Sequence, residues 1–216
     1  GTLVAAAGAG AQPTPLDTRA DAECSAMFGA AQGDAGVRRS LRMDSLSGKV
    51  FRIDPLTGAG IGGAQHAGLQ PNPFYDAAAP FAHRSRIWAS GFRNPWQMAV
   101  LRDAQQAGPG VLLVGDVGDA SFEEINAIAP HRDAGGAYGW PCREGFAPQP
   151  KATDRQRSAV MADFCEEQEA ALAPRWRAPM LAYGRDEHDS VGFLGNCIAG
   201  IAVYDGTSFQ IGRAHV

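Results

Sequence analysis

The chain has 216 residues, with 19 Lys and Arg against 23 Asp and Glu and a formal charge of −4, a balance that excludes a basic nucleic-acid binder. Hydrophobic residues make up 45% of it, enough for one sizeable core and too much for intrinsic disorder, and no apolar run approaches the ~18 residues of a membrane-spanning helix. Gly (27) and Pro (14) together form about a fifth of the chain, so turns must be frequent.

Apolar-rich runs of strand length recur at residues 2–7, 49–53, 86–92, 97–101, 111–114, 124–129 and 198–204, most of them bounded by Gly, Pro, Asn or Asp. Four of those between residues 48 and 130 follow one another, joined by turn-like segments, which predicts a four-stranded antiparallel meander of the kind that forms a propeller blade. Residues 11–36 and 58–82 lack periodicity and carry Pro and Gly, so they read as long excursions from the sheets. Residues 151–172 differ: Ala, Glu, Gln, Arg and Met dominate, and Val160, Met161, Phe164 and Leu172 fall at loosely helical spacing, which predicts a short helical insertion. The expected class is therefore all-β with long loops and one helical insertion. The chain opens Gly1-Thr2-Leu3 without Met, and residues 211–216 read like a translated sequencing adapter. The expectation is a partial chain, 1–210, with a non-native tail.

Four cysteines occur, Cys24, Cys142, Cys165 and Cys197, with no CxxC pair and no histidine at finger spacing, so a structural zinc site is not expected. Cys142 and Cys165 bracket the helical insertion, and a disulfide there would tie it at both ends and suit an oxidising compartment. Four buried free thiols are the alternative, and Cys24 with Cys197 would make a second pair beside the first, although spacing does not choose among the three connectivities.

Gly58-Ala59-Gly60-Ile61-Gly62-Gly63 matches GxGxxG, but loop chemistry follows it where a phosphate-binding turn opens a helix, so a dinucleotide site is rejected. His66, His83, His131, His188 and His215 are scattered, with no helical metal spacing and no nucleophile elbow. The segment Gly115-Asp116-Val117-Gly118-Asp119, continuing to Glu123-Glu124-Ile125-Asn126, gathers hard oxygen donors in a flexible loop, which is chemistry that suits Ca²⁺ although the spacing is not that of an EF-hand. Arg93-Asn94-Pro95-Trp96 lies between two strand runs. It offers a planar cationic fork and an amide to an anionic, carbonyl-bearing ligand, or else it is a proline turn closed on its own backbone.

Taken in order, four blocks resemble the soluble quinoprotein glucose/sorbosone dehydrogenase family, whose relatives include aldose sugar dehydrogenases and hedgehog-interacting-protein-like proteins. They are Gly48-Lys49-Val50-Phe51-Arg52-Ile53-Asp54, the run from Arg86 through Arg93-Asn94-Pro95-Trp96, the Gly115-to-Asn126 segment, and Gly135-Gly136-Ala137-Tyr138-Gly139-Trp140-Pro141. The resemblance implies a six-bladed β-propeller, of which this chain is a fragment, and oxidation of the anomeric hydroxyl of aldose sugars by pyrroloquinoline quinone (PQQ) and Ca²⁺ in an exported, periplasmic or secreted protein. It implies that Arg93 and Asn94 contact the quinone. It further implies that the main-chain carbonyls of Gly118 and Asp119 bind the active-site calcium, and that Glu124 and Tyr138 belong to a structural calcium site. The general-base histidine is expected upstream of Gly1, so the residues given are expected to be inactive alone. Ala137 stands where the family has Asn, and Gly8-Ala9-Gly10-Ala11 lacks the family's Asp; both departures bear on quinone binding. The alternative reading is a non-catalytic, calcium-stabilised propeller that binds a carbohydrate or a protein partner.

Overall fold

A computed structural model describes residues 2–10, 36–63, 66–102, 110–157, 159–185, 195 and 197–204. Cys24, His188 and the 211–216 segment lie outside the described residues, as does the side chain of Val160. Strands β1 (Leu3–Ala7), β2 (Lys49–Ile53) and β3 (Ile87–Ser90) form one antiparallel sheet in the order β1-β2-β3. Strands β4 (Pro95–Leu101), β5 (Val111–Asp116), β6 (Phe122–Ile128) and β9 (Leu181–Gly184) form a second in the order β4-β5-β6-β9, and the short β7 (Arg143–Glu144) and β8 (Ala147–Pro148) pair as a hairpin. The fold is thus mostly β-sheet, as expected, but the single meander is not: β2 and β3 belong to one sheet and β4 to β6 to the other.

The division falls at residues 91–94, and the backbone explains it. Gly91 adopts φ +79°, a conformation other residues rarely reach, and an added Cβ would lie 2.9 Å from the Tyr138 nitrogen. The chain therefore turns out of β3. Beyond it the Phe92 N–H donates to the Gly48 carbonyl at 3.2 Å, while the Arg93 carbonyl accepts from Ala9 N–H at 2.7 Å and the Asn94 carbonyl from Val117 N–H at 3.0 Å. Residues 91–94 thus bridge the two sheets.

The predicted strand at 198–204 is absent, and β9 completes the second sheet instead. Backbone donors of that segment go to side chains: Ile198 N–H to Glu123 Oε2 at 2.9 Å and Ile201 N–H to Gln97 Oε1 at 3.1 Å. Amides committed to side-chain acceptors are not available to a strand ladder.

One core cluster unites the sheets through Val50, Trp88, Ala89, Phe92, Leu112, Val114, Ile128 and Tyr138, all buried. Each large member contributes roughly 1.5–3 kcal/mol of burial. The Phe92 and Tyr138 rings stack at 4.9 Å between centroids. A second cluster holds the insertion: Trp140, Cys142, Ala152, Met161 and Cys165 are buried together with Ala9 and Val37. A single helical turn, α1 (His83–Arg86), precedes β3, and the insertion is helical, as predicted, in two pieces, α2 (Pro150–Thr153) and α3 (Ala159–Leu172), followed by a 3₁₀ turn at Ala173–Arg175. The Gln149 side chain caps α2 by accepting from the amides of Lys151 and Ala152. A disulfide joins Cys142 to Cys165, with Cα atoms 5.3 Å apart, as the bracketing positions predicted. Cys197 is exposed and free among the described residues.

The glycines of the 58–63 segment serve close packing. A Cβ on Gly60 would lie 1.9 Å from the Ser85 carbonyl oxygen, and one on Gly62 would lie 2.3 Å from the Tyr75 ring. No helix among the described residues is long and apolar enough to cross a membrane.

Candidate functional site

Three sequence blocks that are far apart in the chain meet at the end of β5. Asp116 closes that strand and is buried; its carboxylate accepts the Arg93 N–H through Oδ2 at 3.0 Å and the Asn94 N–H through Oδ1 at 2.6 Å. Both amides of the turn between the sheets are thereby fixed by one side chain. The Arg93 guanidinium then runs along the next loop. It donates from Nη1 to the Val117 carbonyl at 3.0 Å and from Nη2 to Asp119 Oδ1 at 3.4 Å, and its carbon lies 5.6 Å from the centroid of the Trp140 ring. Its Nε is buried and has no hydrogen-bond partner among the described residues. Gly8 lies directly beside the turn, since a Cβ there would be 3.2 Å from Asn94 Oδ1. Arg93, Asn94, Gly118 and Asp119 are thus brought together.

Asp119 is more than a backbone donor. Its carboxylate is 2% exposed and is held by Lys151 Nζ at 2.7 Å, by Gln149 Nε2 at 3.1 Å and by Arg93. Leaving it unpaired in that setting would be costly, which is why two cations surround it. The Gly118 carbonyl accepts from Arg185 Nη1 at 2.6 Å, and Arg185 Nε lies 3.3 Å from the fully buried Glu123. The loop itself is closed on Glu144: a single oxygen, Oε1, accepts the amides of Asp119, Ala120, Ser121 and Phe122 at 2.7, 2.9, 3.0 and 3.2 Å.

Glu124 and Tyr138 are placed differently. Glu124 stands opposite Asp116 in the β5–β6 register, and its carboxylate accepts from the Asn126 amide at 2.9 Å and from the Gly145 N–H. Burial pushes both Asp116 and Glu124 above the usual carboxylate range, and their mutual repulsion raises Glu124 further. Tyr138 points into the core, where its hydroxyl donates to the Ala127 carbonyl at 2.6 Å and burial holds its proton tightly. Among the described residues, no hydrogen bond joins these two side chains to each other or to the Arg93 side chain, and the Tyr138 ring packs on Phe92. Among the described residues, no three His, Cys, Asp or Glu side chains gather as a metal site. His66 bonds Asp54 Oδ2 at 3.0 Å, His83 bonds the Asp44 carbonyl at 2.5 Å, and His131 is exposed, so none of them faces the site.

Sequence reasoning did not single out Asp116, Trp140, Glu144, Gln149, Lys151 or Arg185. Asp116, Trp140 and Glu144 lie in or beside the motif blocks and were legible as neighbours of chemistry. Nothing local marks Gln149, Lys151 or Arg185, whose roles come from long-range contacts.

A family model described as glucose/sorbosone dehydrogenase matches residues 23–166. Among solved structures, the PQQ-bound form of aldose sugar dehydrogenase from Streptomyces coelicolor is 24% identical, with a TM-score of 0.42, over 72% of this chain and 31% of that one. A glucose dehydrogenase is 21% identical with a TM-score of 0.43, over 84% of this chain and 36% of that one. The soluble aldose sugar dehydrogenase from Escherichia coli in its apo form is 23% identical with a TM-score of 0.38, over 66% and 28% respectively. The chain spans about a third of the length of these structures. With the family model covering about two thirds of its residues, and with the motif residues Arg93, Asp116 and Trp140 converging in space, the chain belongs to the glucose/sorbosone dehydrogenase family.

Proposed function

We propose that this chain is one part of an exported, PQQ-dependent dehydrogenase that oxidises the anomeric hydroxyl of aldose sugars, built as a six-bladed propeller in which residues 1–210 supply one wall of the site. Family membership supports the chemistry. The observation that carries the reading is the Arg93 guanidinium: half-buried, oriented by Val117 and Asp119, backed by Trp140 and left with one buried N–H that has no partner among the described residues. Such a group is oriented in advance for an anionic, carbonyl-bearing cofactor and is well placed to stabilise charge that develops on its oxygens. The Cys142–Cys165 disulfide supports an oxidising compartment.

PQQ, when bound, supplies the electron acceptor for hydride. Arg93 would hold it by a charge-assisted hydrogen bond, and Asn94 would orient it through its amide. Asp116 keeps the amides of both residues fixed, so neither has to reorganise as charge moves.

The calcium of this reading, at the Gly118 and Asp119 carbonyls with a structural ion at Glu124 and Tyr138, fits these atoms less well. The Gly118 carbonyl is engaged by Arg185, and the side chains of Asp119, Glu124 and Tyr138 are satisfied within the chain. Calcium prefers six to eight oxygens, and an ion on the Gly118 carbonyl would sit beside the Arg185 cation that already donates to it, so no step is routed through the ion. The second reading, a non-catalytic, calcium-stabilised propeller that binds carbohydrate or a protein partner, places an ion on the same groups and gains nothing from these pairings.

The test is reconstitution. Full-length protein with PQQ and millimolar calcium should reduce a dye with aldoses, and quinone titration should saturate. Neither binding nor turnover would leave only the non-catalytic reading.

A further inference from the structure

We infer that Glu144 is a positioning residue for the quinone-facing loop, acting through Asp119 on Arg93; this rests on the proposed quinone site. Four consecutive amides, those of residues 119–122, converge on Glu144 Oε1 at 2.7 to 3.2 Å. Consecutive N–H groups turned inward form an anion-binding concavity. Here the anion is the chain's own carboxylate, 3% exposed, with Oε2 buried and without a hydrogen-bond partner among the described residues. Such an arrangement fixes the loop far more tightly than its own turn geometry does, because bonds to an ionised acceptor are roughly twice as strong as neutral ones.

Glu144 does not stand on the sheet that carries the loop. It sits in the β7–β8 hairpin, two residues after Cys142, whose disulfide ties the hairpin to α3. The same segment supplies Gln149 and Lys151, both bonded to Asp119 Oδ2. Asp119 in turn receives Arg93 Nη2, and the carbonyl two residues back along the loop, that of Val117, receives Nη1. The insertion therefore sets the position of Asp119 from one side, by its amide through Glu144 and by its carboxylate through Gln149 and Lys151, and Asp119 sets the guanidinium. A Cβ on Gly118 would lie 1.7 Å from the Phe122 carbonyl oxygen and 2.6 Å from Glu144 Oε1, so the loop is packed against this carboxylate with no room for slack.

The experiment uses full-length protein and the variant Glu144→Gln, which keeps shape and removes the charge. Two readouts are taken: hydrogen exchange at the amides of residues 119–122, and affinity for PQQ by direct titration. The variant should speed exchange at those amides about tenfold or more and weaken PQQ binding by about tenfold, the scale of one charge-assisted bond. On an Arg93→Ala background Glu144→Gln should still speed exchange but weaken PQQ binding no further, because the effect passes through the guanidinium. Unchanged exchange overturns the inference. Faster exchange with unchanged PQQ affinity reduces Glu144 to a structural role and overturns it also, as do losses that multiply on the Arg93→Ala background. If the unaltered protein takes up no PQQ, the proposed function fails, and this inference with it; the exchange readout, which needs no quinone, tells that failure from the others. Should Glu144→Gln not fold, Lys151→Met decides: it should weaken PQQ binding while exchange at 119–122 stays slow, and unaltered affinity would sink the link from Asp119 to Arg93.

Discussion

Lys49 is the largest fully buried side chain, and its substitution by Met tests how the two sheets are held together. The ammonium donates to the carbonyls of Arg39 at 2.7 Å and of Ser40 and Ser47 at 2.8 Å. Ser40 also accepts from Gly91 N–H and bonds the Trp140 carbonyl through its hydroxyl, so the lysine holds the segment against which the turn between the sheets is built. Burial pushes the ammonium down to about 7 from 10.5, against the charge of Asp44 and the three carbonyl acceptors. The unfolded chain therefore binds the extra proton between those two values, and the contribution of this group to stability rises with pH across the window. Below pH 7 the full cost of a buried charge is present. Integrated from pH 7 to pH 9, the change is about 2 kcal/mol. Urea unfolding of the unaltered protein and of Lys49→Met, followed by tryptophan fluorescence at pH 6 to 9, isolates the effect as the difference between the two. That difference should grow in favour of the lysine by about 2 kcal/mol between pH 7 and 9. A flat difference would mean that the three carbonyls outweigh burial and that the ammonium keeps its ordinary affinity for the proton.

Arg93→Ala should weaken PQQ binding by at least about tenfold, and it should also cost about 1–2 kcal/mol of stability, because it removes bonds to Val117 and to the buried Asp119; titration and urea unfolding read the two effects separately. A turn arginine judged from sequence alone would leave folding nearly intact, so the stability loss is a result only the tertiary contacts predict. Gly118→Ala places a Cβ 1.7 Å from the Phe122 carbonyl oxygen, and a loss of about 3 kcal/mol or more, or failure to fold, is expected in denaturant unfolding. Replacing Cys142 and Cys165 by serine opens a link of sequence separation 23, and the chain-entropy model puts the cost at ~3.4 kcal/mol. Mass mapping without reduction should recover those two cysteines in one linked peptide; finding both as free thiols would remove the support for an oxidising compartment.

The sequence by itself determined the features governed by local pattern. Strands β1, β2, β5 and β6 fall where short apolar runs end in turn residues, and the insertion is helical where Ala, Glu and Gln accumulate. The disulfide joins the two cysteines that bracket that insertion. The spacing of the motif blocks carried the family, and the meeting of Arg93 with the Asp116-to-Asp119 loop follows from it. Only the tertiary structure divided the strands into two sheets, because the division depends on backbone groups of residues 91–94 pairing with Ala9 and Gly48 on one side and with Val117 on the other. Only it replaced the 198–204 run by Leu181–Gly184, since the amides of Ile198 and Ile201 are taken by side chains more than seventy residues away in the chain. The same reason covers the site. A buried carboxylate reads in sequence as an ordinary surface acid, and the partners that allow Asp119 and Glu144 to leave water are amides and cations brought in by packing.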